Sequence, residues 1–136
     1  MEMKCPKCKK TIDKERVIKN KYVCYECGAY FRVKTHNRIR MVADRKSFQP
    51  WFEELQEKNP LHYDGYEEKL AEAREKSGVN EAVTVGECEI YGERAVIGIC
   101  ESKFLMGSMG QVVGEKITRS IERATREKLP VFLFCC

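Results

Sequence analysis

Two C-x2-C pairs, Cys5 with Cys8 and Cys24 with Cys27, stand fifteen residues apart near the start of this chain. No other feature constrains the fold as strongly. Two residues between thiols let one tight turn aim both sulfurs at a single point. The longer gap lets the chain run out and bring the second pair back to the same place. C-x2-C-x15-C-x2-C therefore predicts a closed tetrahedral zinc site built from two knuckles. A module this small cannot stabilise itself by apolar burial alone, so the metal would supply its folding energy. Gly28 follows the last cysteine, where a knuckle turn often needs positive φ. Lys9 holds that position in the first knuckle. Two disulfides or four free thiols are the competing readings of the same cysteines.

Charge divides the chain. Residues 1–46 carry a formal +9 and residues 47–136 a formal −5, giving the net +4 of the whole. Four thiolates on a dication would still leave the front half clearly basic. Such a surface fits phosphate, either in nucleic acid or in a phosphorylated cofactor. A solvated basic face, or one set against an acidic partner, fits equally well. The N-terminal MEMKCPKCKK lacks the apolar core of a signal peptide. No apolar run approaches the roughly 20 residues of a membrane span. The thiols Cys88, Cys100, Cys135 and Cys136 lie in apolar or strand-like contexts. A metal-binding set with free thiols predicts a reducing cytoplasm, with no membrane partner.

Along the chain, short strands are expected near Arg16–Ile18, Tyr22–Val23 and Tyr30–Val33, and Thr35 is expected to cap a helix through Val42. Phe48, Trp51 and Phe52 read as packing between the ribbon and the domain C-terminal to it. Tyr66–Lys76 reads as a helix ended by Gly78. Ala82–Ile90 and Arg94–Glu101 read as strands around the turn at Tyr91–Glu93. A glycine-bearing loop, Phe104–Gly110, precedes a helix over 111–128, with Val113, Ile117, Ile121 and Ala124 on one face. Val131–Phe134 is continuously apolar, as in a strand buried on both faces. Strand, loop, helix and buried strand make the opening of an α/β layered domain. A chain that stops in such a strand reads as part of a longer domain, or as an edge that a partner completes.

Three stretches together resemble one family. They are CPKCKK…YVCYECGAYFRV with THNRIRMVAD, then GYEEKLAEAREKSGVNEAV, then FLMGSMGQVVGEKITRSIERATREKLPVFLF. In this order they resemble the N-terminal portion of the carboxyltransferase β subunit of bacterial acetyl-CoA carboxylase. The zinc motif alone is shared by many ribbons, whereas the third stretch is far more specific. The resemblance implies an α/β fold: an N-terminal four-cysteine zinc ribbon over 1–34, a helical connecting segment over 35–80, and the start of a crotonase-like domain, apparently truncated, over 81–136. It implies transfer of a carboxyl group from carboxybiotin to acetyl-CoA, giving malonyl-CoA for fatty acid synthesis. The implied partners are a carboxyltransferase α subunit in an α2β2 assembly, the biotin carboxyl carrier protein and biotin carboxylase. Biotin would enter only on its carrier. In the family a Ser-Gly-Gly-Ala-Arg-Met segment follows the strand equivalent to Val131–Phe134 and supplies backbone donors. That segment maps to no residue before Cys136, so no catalytic residue is assigned and this chain alone is expected to be inactive. The loop also departs from the family, with Leu105 and Met106 where Met-Gly is common.

Cys5, Cys8, Cys24 and Cys27 are thus read as the zinc ligands, and the site as structural, because four thiolates leave no open position. Gly107 and Gly110 form a substrate-proximal loop, or only a tight strand-to-helix turn. Lys7, Lys9, Lys10, Lys14 and Arg16 face phosphate, or simply water. His36 and His62 are isolated, and His36 reads as a surface or helix-start residue. Vicinal Cys135 and Cys136 point to opposite faces of a strand and make a poor redox pair. Two other functions fit the sequence: a zinc-ribbon nucleic-acid-binding module, or a non-functional truncated gene product.

Overall fold

A computed structural model describes residues 1–136, which form two compact units, Met1–Val33 and Lys34–Cys136. In the first unit, β1 (Glu2–Lys4) pairs antiparallel with β2 (Thr11–Asp13), and Met3 lies opposite Ile12. A short helix, α1 (Lys14–Lys19), comes directly after β2. It replaces the strand expected at Arg16–Ile18. The Asp13 carboxylate accepts from the Glu15 N–H at 2.8 Å and caps the helix, a local signal stronger than the β-propensity of Val17-Ile18. Beyond it, the expected strands at Tyr22–Val23 and Tyr30–Val33 reduce to one bridge, Val23 to Tyr30. Cys5, Ile12, Val17 and Cys24 are the buried centre.

The second unit is a four-stranded sheet of order β3-β4-β5-β6, with β3 at Gln49–Pro50, β4 at Val83–Ile90, β5 at Glu93–Cys100 and β6 at Val131–Phe134. β4 and β5 form a hairpin whose turn residues, Tyr91 (φ 52°) and Gly92 (φ 80°), are both left-handed, as a two-residue turn matched to strand twist requires. The Asp44 carboxylate accepts from both turn N–H groups, at 3.0 and 2.7 Å. α4 (Gln111–Glu127) carries the chain from β5 to the parallel strand β6. Helices α2 (Thr35–Val42) and α3 (Tyr66–Ser77) complete the unit, and α3 ends at Gly78 with φ 76°.

The sheet lies between two apolar layers. Val83, Val85 and Val96 pack with Trp51, Leu70, Phe104, Val113 and Ala124 on one side. Cys88, Ile97 and Ile99 pack with Ile39, Phe48 and Phe134 on the other. Three expectations are corrected, at Trp51, in α4 and at Thr35. Trp51 packs inside this unit's core, with the Arg123 guanidinium 3.9 Å from its ring centre. Within residues 1–136, β6 has one strand neighbour, β5, and Phe132 and Leu133 are 47% and 44% exposed. The buried row of α4 is Val113, Lys116, Ser120 and Ala124, while Ile121 is exposed. Thr35 is the first residue of α2 rather than its cap. Its N–H and Oγ1 both donate to Glu101 Oε2, at 3.0 and 3.1 Å.

Candidate metal centre and the loop before α4

The four ribbon cysteines come together although they lie on two separate turns. Their sulfurs are all within 4.8 Å of one another. Both turns have the same backbone pattern. Lys9 N–H donates to Cys5 C=O at 3.1 Å, and Gly28 N–H donates to Cys24 C=O at 2.9 Å. Cys5 N–H donates to Lys10 C=O, and Cys24 N–H donates to Ala29 C=O. Lys9 and Gly28 hold φ 61° and 71°. The second knuckle is thus a repeat of the first, with a lysine in the left-handed place of the first.

This geometry fits a metal ion. Metal–sulfur bonds of about 2.3 Å in a tetrahedron place sulfurs about 3.8 Å apart. Cys5 Sγ and Cys27 Sγ are 3.7 Å apart. The thiols also titrate against one another. Burial works to raise the Cys5 thiol, but the Cys8 and Lys7 backbone N–H groups and neighbouring thiols hold it at about 6. The Lys10 N–H lowers the Cys8 thiol, yet burial and the other thiols push it up to about 11. Four thiols this close do not all ionise unaided, and a bound dication is what makes four thiolates stable together. With four sulfurs the coordination is closed, so the arrangement can hold an ion but presents no open position for substrate.

Two of the ribbon's basic side chains are engaged within the ribbon itself. Lys10 pairs with Glu26 at 2.7 Å, and Arg16 lies 4.0 Å from the Tyr25 ring centre. Lys7, Lys9 and Lys14 are exposed. Gly107 and Gly110 lie in the second unit, on the loop leading into α4. Leu105, Met106 and Gly107 hold φ 43°, 58° and 72° in succession, and Met106 and Met109 are exposed. Gly107 needs its missing side chain twice over, for its φ and because a Cβ would strike Cys136 Sγ. Gly110 is extended and precedes a helix with no side-chain cap.

Sequence reading missed a cavity of about 250 Å³ in the second unit, lined by Thr35, His36, Ser77, Glu81, Glu101 and Lys116 together with apolar residues such as Ile39 and Val83. Glu81, Glu101 and Lys116 are 5%, 2% and 4% exposed. Glu101 is satisfied by Thr35 and by the Lys103 N–H at 3.1 Å. Glu81 Oε1 accepts from Ala82 N–H, while its Oε2 is buried without a partner. The one clue in the sequence was Lys116, which interrupts the apolar row of α4. His36 lines this cavity, while His62 sits in a left-handed turn at φ 50°.

No family model matches the chain. Curated proteins do. The chain is 46% identical, over 134 residues, to an acetyl-coenzyme A carboxylase carboxyl transferase subunit beta of Clostridium botulinum strain Hall, covering 98% of this chain and 46% of that protein. The equivalent protein of Desulfitobacterium hafniense strain Y51 is 46% identical over 132 residues, 97% of this chain and 43% of its own length. Among solved structures, transcarboxylase 12S aligns with TM-score 0.59 at 18% identity, over 88% of this chain and 20% of that one. A single-chain, multi-domain long-chain acyl-CoA carboxylase aligns with TM-score 0.60 at 19% identity, over 90% and 12%. At these identities the structures show a shared fold and nothing about role. The chain is therefore a homologue of the acetyl-CoA carboxylase carboxyl transferase β subunits along nearly all of its own length, and it spans about half the length of the curated relatives it matches.

Proposed function

We propose that this chain is part of a carboxyltransferase β subunit that moves a carboxyl group from carboxybiotin to acetyl-CoA, giving malonyl-CoA. The observation that carries this reading is 46% identity over 98% of the chain to relatives of that name. The partners on this reading are a carboxyltransferase α subunit, the biotin carboxyl carrier protein that presents biotin, and biotin carboxylase. The reaction needs an enolate held at the thioester and charge held at the biotin ureido oxygen, which backbone N–H donors supply without a side-chain nucleophile. Gly107 and Gly110 are the residues here that we assign beside substrate, on a loop whose backbone can approach a ligand closely. Cys5, Cys8, Cys24 and Cys27 would hold one Zn²⁺, which contributes folding energy to residues 1–33 rather than chemistry. Free thiols and a thiolate metal site suit the cytoplasm. Because the chain spans about half of its relatives, we assign it no activity alone.

The test is affinity capture of this polypeptide from its own cells, followed by assay with carboxybiotin on its carrier and acetyl-CoA. The expected result is an assembly that contains an α subunit and makes malonyl-CoA, while the purified 136-residue chain makes none. Capture without an α subunit and without malonyl-CoA would overturn the reading.

A further inference from the structure

Glu81 and Lys116 bring opposite charges to one cavity without pairing there. Glu81 stands between α3 and β4, and Lys116 on the buried row of α4. Both line the cavity of about 250 Å³, both are buried, and neither makes an ion pair. One oxygen holds Glu81 in place: Oε1 accepts from Ala82 N–H at 2.9 Å, and the Ala82 carbonyl in turn accepts from Glu101 N–H at 2.8 Å. Oε2 is left buried and without a partner. The other such atom, Arg74 Nη2, belongs to a residue that does not line the cavity. A buried charge without a partner is costly, and a hydrogen-bonded opposite charge offsets that cost. Burial lowers the Lys116 pKa while Glu81, Glu53 and Glu54 pull it the other way. Ile39, Val83 and Val85 give the cavity an apolar wall. Pockets for drug-sized molecules hold about 300–1,000 Å³, so an occupant of this one is smaller.

We propose that this cavity binds a small free amino acid, its carboxylate on the Lys116 ammonium and its ammonium on Glu81 Oε2. A zwitterion supplies an opposite charge to each buried group at once and adds no net charge to the cavity. A simple anion would pair with Lys116 but face Glu81 and Glu101, and would leave Oε2 bare. A simple cation would reach Oε2 but meet Lys116. A metal ion suits the site no better, because no three acidic or histidine side chains group here as the ribbon cysteines do. Glu101 does not compete for the ligand's ammonium, since Thr35 and the Lys103 N–H already occupy its carboxylate. The apolar wall selects a ligand whose side chain is aliphatic or absent. Bound there, the amino acid ties α4 to the segment that follows α3.

The experiment titrates the zinc-loaded full chain, by calorimetry, with glycine, alanine, valine, β-alanine and γ-aminobutyrate, and with propionate and ethylamine as ligands that carry only one of the two charges. The expected result is saturable one-to-one binding of at least one amino acid, with propionate and ethylamine each weaker by more than about tenfold. Glu81→Gln and Lys116→Met should each weaken the amino acid by a similar factor. Lack of binding by all five amino acids would overturn the proposal and leave the cavity to water. Propionate or ethylamine binding as tightly as the amino acid would overturn it in favour of a site for a single charge. Binding retained in both variants would place the ligand elsewhere. The wild-type titrations decide the first two outcomes whether or not a variant folds.

Discussion

Lys9 occupies in the first knuckle the place that Gly28 occupies in the second, and holds φ 61° to do so. A left-handed conformation costs a residue with a Cβ about 1–2 kcal/mol, partly offset by the greater unfolded freedom of glycine. Lys9→Gly is therefore expected to stabilise the metal-bound ribbon by about 0.5–1 kcal/mol, read as tighter zinc retention against a chromogenic chelator. Glu101 is the opposite case, a buried charge whose surroundings are complete. Its carboxylate accepts from Thr35 N–H, Thr35 Oγ1 and Lys103 N–H, and so caps α2 from 66 residues away. Gln keeps one acceptor oxygen but turns an NH2 group toward one of these donors. Glu101→Gln should lose about 1–3 kcal/mol in urea denaturation. A loss near zero would mean that α2 is capped by water.

At the scale of elements, β3 and α4 are held by opposite means. β3 is two residues long and contains Pro50, which suits an edge strand because proline cannot donate to the ladder. It fits against β4 only because Gly86 has no side chain. A Cβ there would strike the Gln49 carbonyl and approach the Phe48 ring to 2.7 Å. Gly86→Ala should cost about 1–3 kcal/mol by overpacking, with increased amide exchange at Trp51, whose N–H donates to Val85. In α4, Lys116 is buried and makes no ion pair. Burial pulls its pKa below the ordinary lysine value, against the opposing pull of Glu81, Glu53 and Glu54. Below the lowered pKa, both folded and unfolded chains carry the proton and the folded state bears the full desolvation penalty. As pH rises through the window up to the ordinary value, the unfolded chain binds more protons, so this residue makes stability rise with pH. Lys116→Met should raise the melting temperature at neutral pH and abolish that alkaline contribution, both readable in thermal melts taken between neutral and alkaline pH.

For the whole molecule, the two units depend on different sources of stability. Residues 34–136 have an apolar layer on each face of the sheet. Residues 1–33 bury only Cys5, Ile12, Val17 and Cys24 as their centre, and two of those four are cysteines of the candidate metal centre. Chelation is therefore expected to unfold the ribbon, seen as amide exchange reaching unprotected rates across residues 1–33, and zinc should restore protection. Protection unchanged after verified loss of metal would show that apolar packing alone suffices.

Local patterns carried much of this protein legibly. The paired C-x2-C spacing placed four sulfurs because a knuckle is a short-range turn, and the structure brings those sulfurs together. Tyr91-Gly92 between apolar runs announced the hairpin, and Gly78 the end of α3, since both rest on backbone conformations of a few residues. The Asp13 cap is equally local, and it sets a helix, α1, where the apolar pattern predicts a strand. What no local pattern could show was partnership across sequence. Glu101 meets Thr35, Arg123 covers Trp51, and Cys136 seats on Gly107 only after the sheet has assembled. The strand neighbours of β6 were hidden for the same reason. Four apolar residues specify a strand by themselves, but whether one lies at the centre or the edge of a sheet depends on which other strands hydrogen-bond to it, and that is a property of the assembled sheet alone.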